Sequence, residues 1–506
     1  MKKNIIFSLF LTILCVPSLK AQDSLSFTNK IQHQYDIERA LKHRVYYNPA
    51  LMSDYSPLSF SDFQASYQHQ KDKAYLLEQG NQQSGLQVKG KSYKRLTNNK
   101  AIWGEVVYNN LKQYEVQWNS TLDPQYVGPY TLADSSKGTN KYESYQFSGG
   151  VTKTLGRFDL GIDLFYLAQM SHRERDPRPK STSSDLRLKA GMAYSLFKDY
   201  KLGAFAQVLT YKQTTSVIFF SEVARADLYQ MNGLGDYNFY FSNKSDKARY
   251  SQSAYHTGLS FSSLKEGDFA LGVQLGQSNL TKAASTTNAN HDINKLKQNE
   301  LTLYVNKGIT IDQHRVVAQI TYDKLDKKGS SILYSNVGNE FSKILESQNY
   351  KHKTERIKAQ MLYQVKLKED LLSVIPSYSL EDVKESTLDS KKNRDFKYGI
   401  WALQTRYIKP LSSKDILTLS VGLQKRGVNK SSYTLGDANI RPSIKEWLDS
   451  DYTIYSSEFL CYNASLRYDQ KISPTIGGYL KLNYNNLKYK SHKANSFIGF
   501  TAGITF

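Results

Sequence analysis

The last nine residues, Ile498-Gly499-Phe500-Thr501-Ala502-Gly503-Ile504-Thr505-Phe506, alternate without a break. Ile498, Phe500, Ala502, Ile504 and Phe506 fall on one side, and Gly499, Thr501, Gly503 and Thr505 on the other. Successive side chains of an extended strand point to opposite faces, so this stretch has one apolar face and one small, polar face. Such a strand fits a barrel in lipid, apolar outward and polar toward a wet lumen. Strands of a soluble sandwich alternate too, so the decision rests on how often the pattern returns and how its copies are joined.

The alternation recurs from about residue 58 to the end. Phe269, Leu271, Val273 and Leu275 oppose Ala270, Gly272, Gln274 and Gly276, and Leu186, Leu188, Ala190 and Met192 oppose Arg187, Lys189 and Gly191. Short polar links read at Thr97 to Lys100, Leu155 to Gly156, Lys198 to Asp199 and Lys265 to Gly267, then at Ile311 to Gln313, Lys368 to Asp370, Ser412 to Asp415 and Ile472 to Pro474. Between them lie longer links: Ser120 to Asn140, His172 to Ser184, Val217 to Ala248, Lys328 to Asn349 and Ser431 to Ile454. Tight periplasmic turns alternating with long extracellular loops are the pattern of an all-β transmembrane antiparallel barrel, and pairing the strands predicts about 18 of them, within a range of roughly 14–18. The barrel is expected over residues 58–506.

The composition agrees. With a mean hydropathy of −0.55, no stretch after residue 21 approaches the ~20 apolar residues of a membrane helix, and alternating strands average their apolar signal away. The 38 tyrosines suit the two headgroup interfaces, and 11 prolines in 506 residues suit unbroken ladders. Lys2, Lys3 and the apolar run Ile5 to Val16 read as a signal peptide over 1–21, cleaved after Ala21, which sends the chain to the cell outer membrane of a Gram-negative bacterium. Cleavage lowers the formal charge from +21 to +18 and leaves Cys461 as the one cysteine, so no disulfide or thiolate metal cluster is expected. The terminal aromatic strand resembles the signal read by the barrel assembly machinery, with Phe500, Ile504 and Phe506 presenting it.

Residues 22–57 fit the barrel poorly and read as a periplasmic segment that either trails as a tail or enters the lumen as a hatch. Asp36 to Arg44 predicts a short helix with Ile37, Ala40 and Leu41 on one face, stopped by Asn48-Pro49-Ala50. A similar Asn-Pro-Ala occurs in barrels of the long-chain fatty-acid transporter type, and that resemblance implies the hatch.

No catalytic motif stands out: there is no phosphate loop, paired-cysteine site or His-Glu-x-x-His helix, so no enzyme activity, cofactor or metal is expected. His172 is the one histidine packed among charges, in Ser171-His172-Arg173-Glu174-Arg175-Asp176, and a solvated loop accounts for it. The alternation sends Lys89, Lys91, Arg187, Lys189, Arg356, Lys358, Arg467 and Lys481 into the lumen with Glu105, Asp159, Asp163, Glu300, Asp323 and Asp469, a mixture suited to crosslinking the interior. Lysines scattered along strands of an exported chain argue against nucleic acid. Two external stretches present candidate ligand- or partner-binding residues: Arg173, Arg175, Asp176 and Arg178 in a proline-stiffened loop, and Tyr229, Tyr237, Phe239 and Tyr240 in an aromatic one that either meets a partner or folds in over the mouth.

Pro129-Tyr130-Thr131-Leu132-Ala133-Asp134-Ser135, Gln146-Phe147-Ser148-Gly149-Gly150 and Asp176-Pro177-Arg178-Pro179 together resemble a family of outer-membrane barrels from Bacteroidetes-type bacteria. That family has no assigned site residues. Its members tend to be encoded near TonB-dependent transporters and surface lipoproteins, which implies a nutrient-uptake setting. A TonB-dependent transporter carries a far longer plug than residues 22–57, so the leading expectation is a porin-like passive or gated channel for a small nutrient. The alternative is an accessory barrel that holds such a transporter or lipoprotein through its loops, and a surface enzyme comes third. Outer-membrane lipid and lipopolysaccharide are the expected surroundings.

Overall fold

The structure, a computed structural model, describes residues 26–506 apart from 36, 98, 198–199, 222–225, 244, 264–268, 287–288, 338–339, 437–439 and 492. The segment expected to be a signal peptide and the turns expected at Lys198 to Asp199 and Lys265 to Gly267 lie outside the described residues. In chain order the strands are β1 Phe60–Asp72, β2 Gln82–Thr97, β3 Lys100–Val116, β4 Leu132–Asp134, β5 Gly138–Leu155, β6 Phe158–Arg173 and β7 Arg178–Phe197. They continue with β8 Tyr200–Ile218, β9 Leu228–Gly233, β10 Asp236–Tyr237, β11 Lys247–Ser263, β12 Phe269–Ser285, β13 Asn290–Ile311 and β14 His314–Val337. The last are β15 Glu340–Leu367, β16 Asp370–Thr387, β17 Asn393–Pro410, β18 Asp415–Thr434, β19 Phe459–Lys471, β20 Gly477–Tyr489 and β21 Ala494–Thr505.

Eighteen of these form one sheet in which every strand pairs antiparallel with its neighbours along the chain, β4, β9 and β10 standing apart. The sheet closes where β1 meets β21, in register from Asp62 opposite Thr505 to Asp72 opposite Asn495. Closure removes the two open edges that lipid would leave unsatisfied. The facing follows the alternation: Leu271 and Leu275 are exposed outward, while Gly272 lies under the Tyr304 ring inside. Phe158, Leu160, Ile162, Leu164 and Tyr166 show the same outward belt on β6. Among the described residues no helix is long and apolar enough to cross a membrane; strands make the crossing. An all-strand, closed barrel with an apolar outer belt is the outer-membrane architecture.

Tight links lie at one end, beside the start of β1 and Phe506. Gly156, Asp312 and Lys368 take left-handed backbone there, with φ of 61°, 50° and 56°. At the other end two expected loops are corrected. The link expected at Lys328 to Asn349 is mostly strand, because β14 and β15 run for 24 and 28 residues and form a hairpin kinked by bulges at Gly329/Ser330 and Leu333/Tyr334. The link at His172 to Ser184 shrinks to residues 174–177. Both stretches keep pairing their backbone groups beyond the ~9–11 residues needed to span the membrane.

The remaining long loops fold inward. Residues 117–137 carry a short helix, Pro124–Val127, and β4; residues 219–246 carry β9 and β10. These strands make a three-stranded sheet whose β4 and β9 residues are all buried. A helix at Pro442–Tyr455 packs Ile444 and Leu448 on Trp118, Tyr229 and Met231, and the Trp118 and Trp447 rings stack with centroids 5.2 Å apart. Together these loops form a cap across the outer mouth.

The N-terminal segment packs against inward side chains around the wall. The short helix expected within Asp36 to Arg44 forms over Ile37–Leu41, a second helix, Phe27–Gln34, precedes it, and Pro49 opens a 3-10 helix, Pro49–Asp54, instead of only ending what precedes it. Ile37 and Leu41 bury against Val317, Leu362 and Ile375. Tyr35 donates to Asp62 at 2.7 Å, Arg315 pairs with Glu38 at 3.0 Å, and Lys201 pairs with Asp54 at 2.7 Å.

Candidate functional site

The turn at Asn48 seats this segment on the wall. Its side-chain NH2 donates to the backbone carbonyls of Met192 and Ala204 at 3.3 and 3.1 Å, while its Oδ1 accepts the Ala50 N–H at 3.0 Å. Thr152 Oγ1 donates to the Ala50 carbonyl at 3.1 Å. The approach is that close because glycines face it: a Cβ on Gly161 would lie 2.3 Å from the Pro49 carbonyl carbon, and one on Gly191 would lie 2.0 Å from Asn48 Oδ1.

Between this seated segment and the cap lies a cavity of about 600 Å³. Gln125 and Tyr126 come from the cap helix, and Arg187, Glu300, Asp323, Lys327, Arg356 and Glu381 from β7 and β13 to β16. Asp323 is its junction. It accepts from Arg44 of the N-terminal segment at 2.8 Å, from Arg356 at 3.0 Å and from Thr302 at 2.8 Å. At the roof, Lys327 donates to the Gln125 carbonyl at 3.2 Å. Tyr126 donates to Asp185 at 2.8 Å, and Arg187 bridges both. The chamber thus has a negative contact to the floor plug and a positive one to the roof plug. Such groups suit a polar solute carrying charge or several hydroxyls. A second cavity of about 400 Å³ lies on the other side of the cap helix, and Gln125 lines both. Gln83, Gln113, Asn140, Tyr142 and Gln169 give it an amide-rich wall.

The luminal charges read from the alternation do crosslink the interior. Lys89 pairs with Glu105 at 2.9 Å, Lys201 with Asp159 at 2.6 Å, and Arg467 with Asp469 at 2.6 Å. The eight candidate contact residues divide differently from the expectation. Arg173 is 3 % exposed and holds the cap: it pairs with Asp134 at 3.4 Å and donates to Asn140 and to the Val116 carbonyl. Tyr229, also 3 % exposed, stacks in the cap under Arg441. These two are corrected to structural anchors, since an inward-folded loop buries what a free loop would present. Asp176 bonds Arg178 at 2.8 Å and accepts the Phe220 and Ser221 N–H groups, tying two loops together, and Tyr237 packs on Tyr229. Arg175, Phe239 and Tyr240 are exposed, and the Arg178 side chain is exposed to the same degree as Tyr240 while bonded to Asp176. His172 stands in register with Lys141 and Lys180 on the outward face, and among the described residues no three His, Cys, Asp or Glu side chains group to hold a metal.

Among curated proteins none matches the chain. Solved structures that it resembles include the ferric-catecholate import receptor Fiu from E. coli K12 in its closed form, at 9 % identity over 89 % of this chain and 82 % of that one, with a TM-score of 0.42. The ferric yersiniabactin uptake receptor FyuA from Yersinia pestis matches at 8 % identity over 89 % and 80 %, with a TM-score of 0.42. The TodX deltaS2S3 mutant monoaromatic hydrocarbon channel matches at 10 % identity over 91 % and 93 %, with a TM-score of 0.33. Residues 49–506, from the Pro49 turn to the last residue of the barrel, match a family of unknown function, DUF6850, and the chain belongs to that family.

Proposed function

We propose that this outer-membrane barrel is a gated conduit for a small polar solute, with residues 22–57 as its periplasmic hatch and the inward loops as its outer cap. The observation that carries this reading is the charged chamber of about 600 Å³ left between the two plugs. A barrel built only to hold a partner has no use for a polar void. In a conduit, a solute engaging Asp323 competes with Arg44, and one engaging Lys327 competes with the cap, so occupancy loosens each plug in turn. The substrate class is a nutrient fragment rich in hydroxyl or charged groups, matched to the amide-lined outer cavity. The chain is exported by its signal segment, and no catalytic step is assigned to it.

Liposome swelling tests this. D323A removes the acceptor for Arg44 and should raise the permeation of small sugars and amino acids several-fold over wild type. Equal swelling of wild type, D323A and N48A would reject the gate.

A second reading rests on the protruding β14–β15 hairpin, whose Leu333, Ile344 and Leu345 are exposed beyond the membrane. A transporter or surface lipoprotein docked there would make the barrel an accessory subunit. Photocrosslinking from position 344 in native membranes tests it, and capture of no neighbour would set it aside.

A further inference from the structure

Above the apolar belt, the outward face of β13 to β18 is crowded with lysines; on the opposite wall Lys112 faces Lys141, but Lys141 pairs with Glu174, and His172 stands between it and Lys180. Register aligns Lys297 with Lys328, and Lys328 with Lys351, so three lysines stand side by side on three neighbouring strands. All three are exposed. Lys353 faces Lys384 and Lys397 faces Lys430 in the same way, but those four have carboxylate partners in Glu355, Asp382 and Asp395. Lys295 pairs with Glu346 and Lys324 with Asp326. Among the described residues no ion pair engages Lys297, Lys328 or Lys351.

Like charges directly opposite one another on adjacent strands destabilise a sheet. With strands ~4.8 Å apart, the backbone fixes this row as a cationic array awaiting a counter-anion. Its height says which anion. Outward residues on β13 read Leu303, Leu301, Asn299, Lys297, and on β14 Ile320, Tyr322, Lys324, Asp326, Lys328. At ~3.3 Å per residue and a tilt of ~40°, the row stands roughly 10–15 Å above the last belt residues. A phospholipid headgroup zone is only about 5–8 Å deep on each side. The row therefore clears phospholipid phosphates and meets a lipid whose headgroup is built of sugars. It also faces along the membrane plane, toward lipid, and not up toward a soluble partner.

We propose that Lys297, Lys328 and Lys351 form a binding site on the outer wall for the phosphorylated sugar headgroup of lipopolysaccharide. Lysine ammonium groups bind phosphate as point charges and need no bidentate geometry.

The test measures binding of deep-rough lipopolysaccharide, and of the same lipid stripped of phosphate, to detergent-purified full-length protein by native mass spectrometry. K297Q/K328Q/K351Q should bind the intact lipid about tenfold more weakly than wild type, charge-assisted contacts being the stronger kind. K71Q/K212Q/K488Q, which removes the same charge from exposed lysines with no charged residue opposite them in register, should stay within about twofold, since screened surface charges act only locally. The stripped lipid should bind all three alike. Unchanged heat-modifiable mobility on gels verifies folding, and if the triple variant fails to assemble, K328Q alone should show a partial loss. Equal affinity of row variant and wild type overturns the proposal, as does an equal loss in the isolated-lysine control or wild-type binding indifferent to phosphate. An acidic protein lost from the row variant with lipid binding intact would assign the row to that partner and overturn it too.

Discussion

Gly161 and Ile162 are chain neighbours with opposite surroundings. Ile162 is the middle member of five exposed apolar residues on β6, and Gly161 touches Pro49 inside. Ile162→Arg should therefore destabilise the barrel by ~2–4 kcal/mol, the cost of a cation facing lipid near the midplane. Gly161→Val should leave barrel stability nearly unchanged while unseating the N-terminal segment. Urea unfolding reports the first effect and hydrogen exchange over residues 26–57 the second; equal, small effects at both sites would mean the facing is misassigned. Asn48→Ala removes two hydrogen bonds to strand carbonyls and should weaken the seat by ~1–3 kcal/mol, read as faster exchange across the same residues. Facing of this kind was legible from period-2 alternation alone. The partner of Asp323 was not: Arg44 lies 279 positions away, outside any strand, and nothing local in either residue announces the other.

At the scale of elements, the cap is held by a contact that should respond to pH. Helix Pro442–Tyr455 brings Asp451 against Glu78 of the loop 73–81, whose carboxylate accepts the Trp447 indole N–H at 3.2 Å. Burial pushes both carboxyls up, and Glu78's charge adds to the rise at Asp451; Arg394, Glu385, Tyr433 and Tyr455 surround the pair. A carboxyl with a raised folded-state value contributes its full stability below the ordinary range near ~4 and loses it as pH climbs through the raised value. Exchange at 73–81 and 442–455, corrected for its intrinsic rate, should increase as pH rises above the ordinary carboxylate range, and Asp451→Asn should flatten that rise. A wild-type profile as flat as the variant's would remove the carboxyl pair as a latch. The terminal strand carries its own prediction. Phe506 exchanges both backbone hydrogen bonds with Ser61 at the closing seam, at 3.0 and 3.3 Å. Deleting it should slow assembly, seen as less heat-modifiable protein; wild-type yield would leave the terminus without that role. Strands and tight turns were readable because backbone pairing imposes a strict period. The cap was not, because an aromatic loop such as Leu228 to Phe241 has the same composition whether it meets a partner or folds inward, and only Trp118 and the Ile444–Leu448 face decide it.

At the scale of the whole molecule, an 18-stranded wall is wide enough to hold water or plugs, and here it encloses two plugs with a cavity between them. The floor is tied to the wall mainly through side chains: Arg44 to Asp323, Glu38 to Arg315, Asp54 to Lys201 and Asn48 to two strand carbonyls. The wall's own ladder closes without it, so removing the floor should leave the barrel standing. That separation makes single-channel conductance the most direct test of the gated conduit, comparing full-length protein with a variant lacking residues 22–47 in the same planar bilayer. A gated conduit should be closed or rarely open at full length and stably open when truncated, with heat modifiability and yield unchanged. An intact, membrane-inserted truncation that stays as silent as the full-length protein would contradict it.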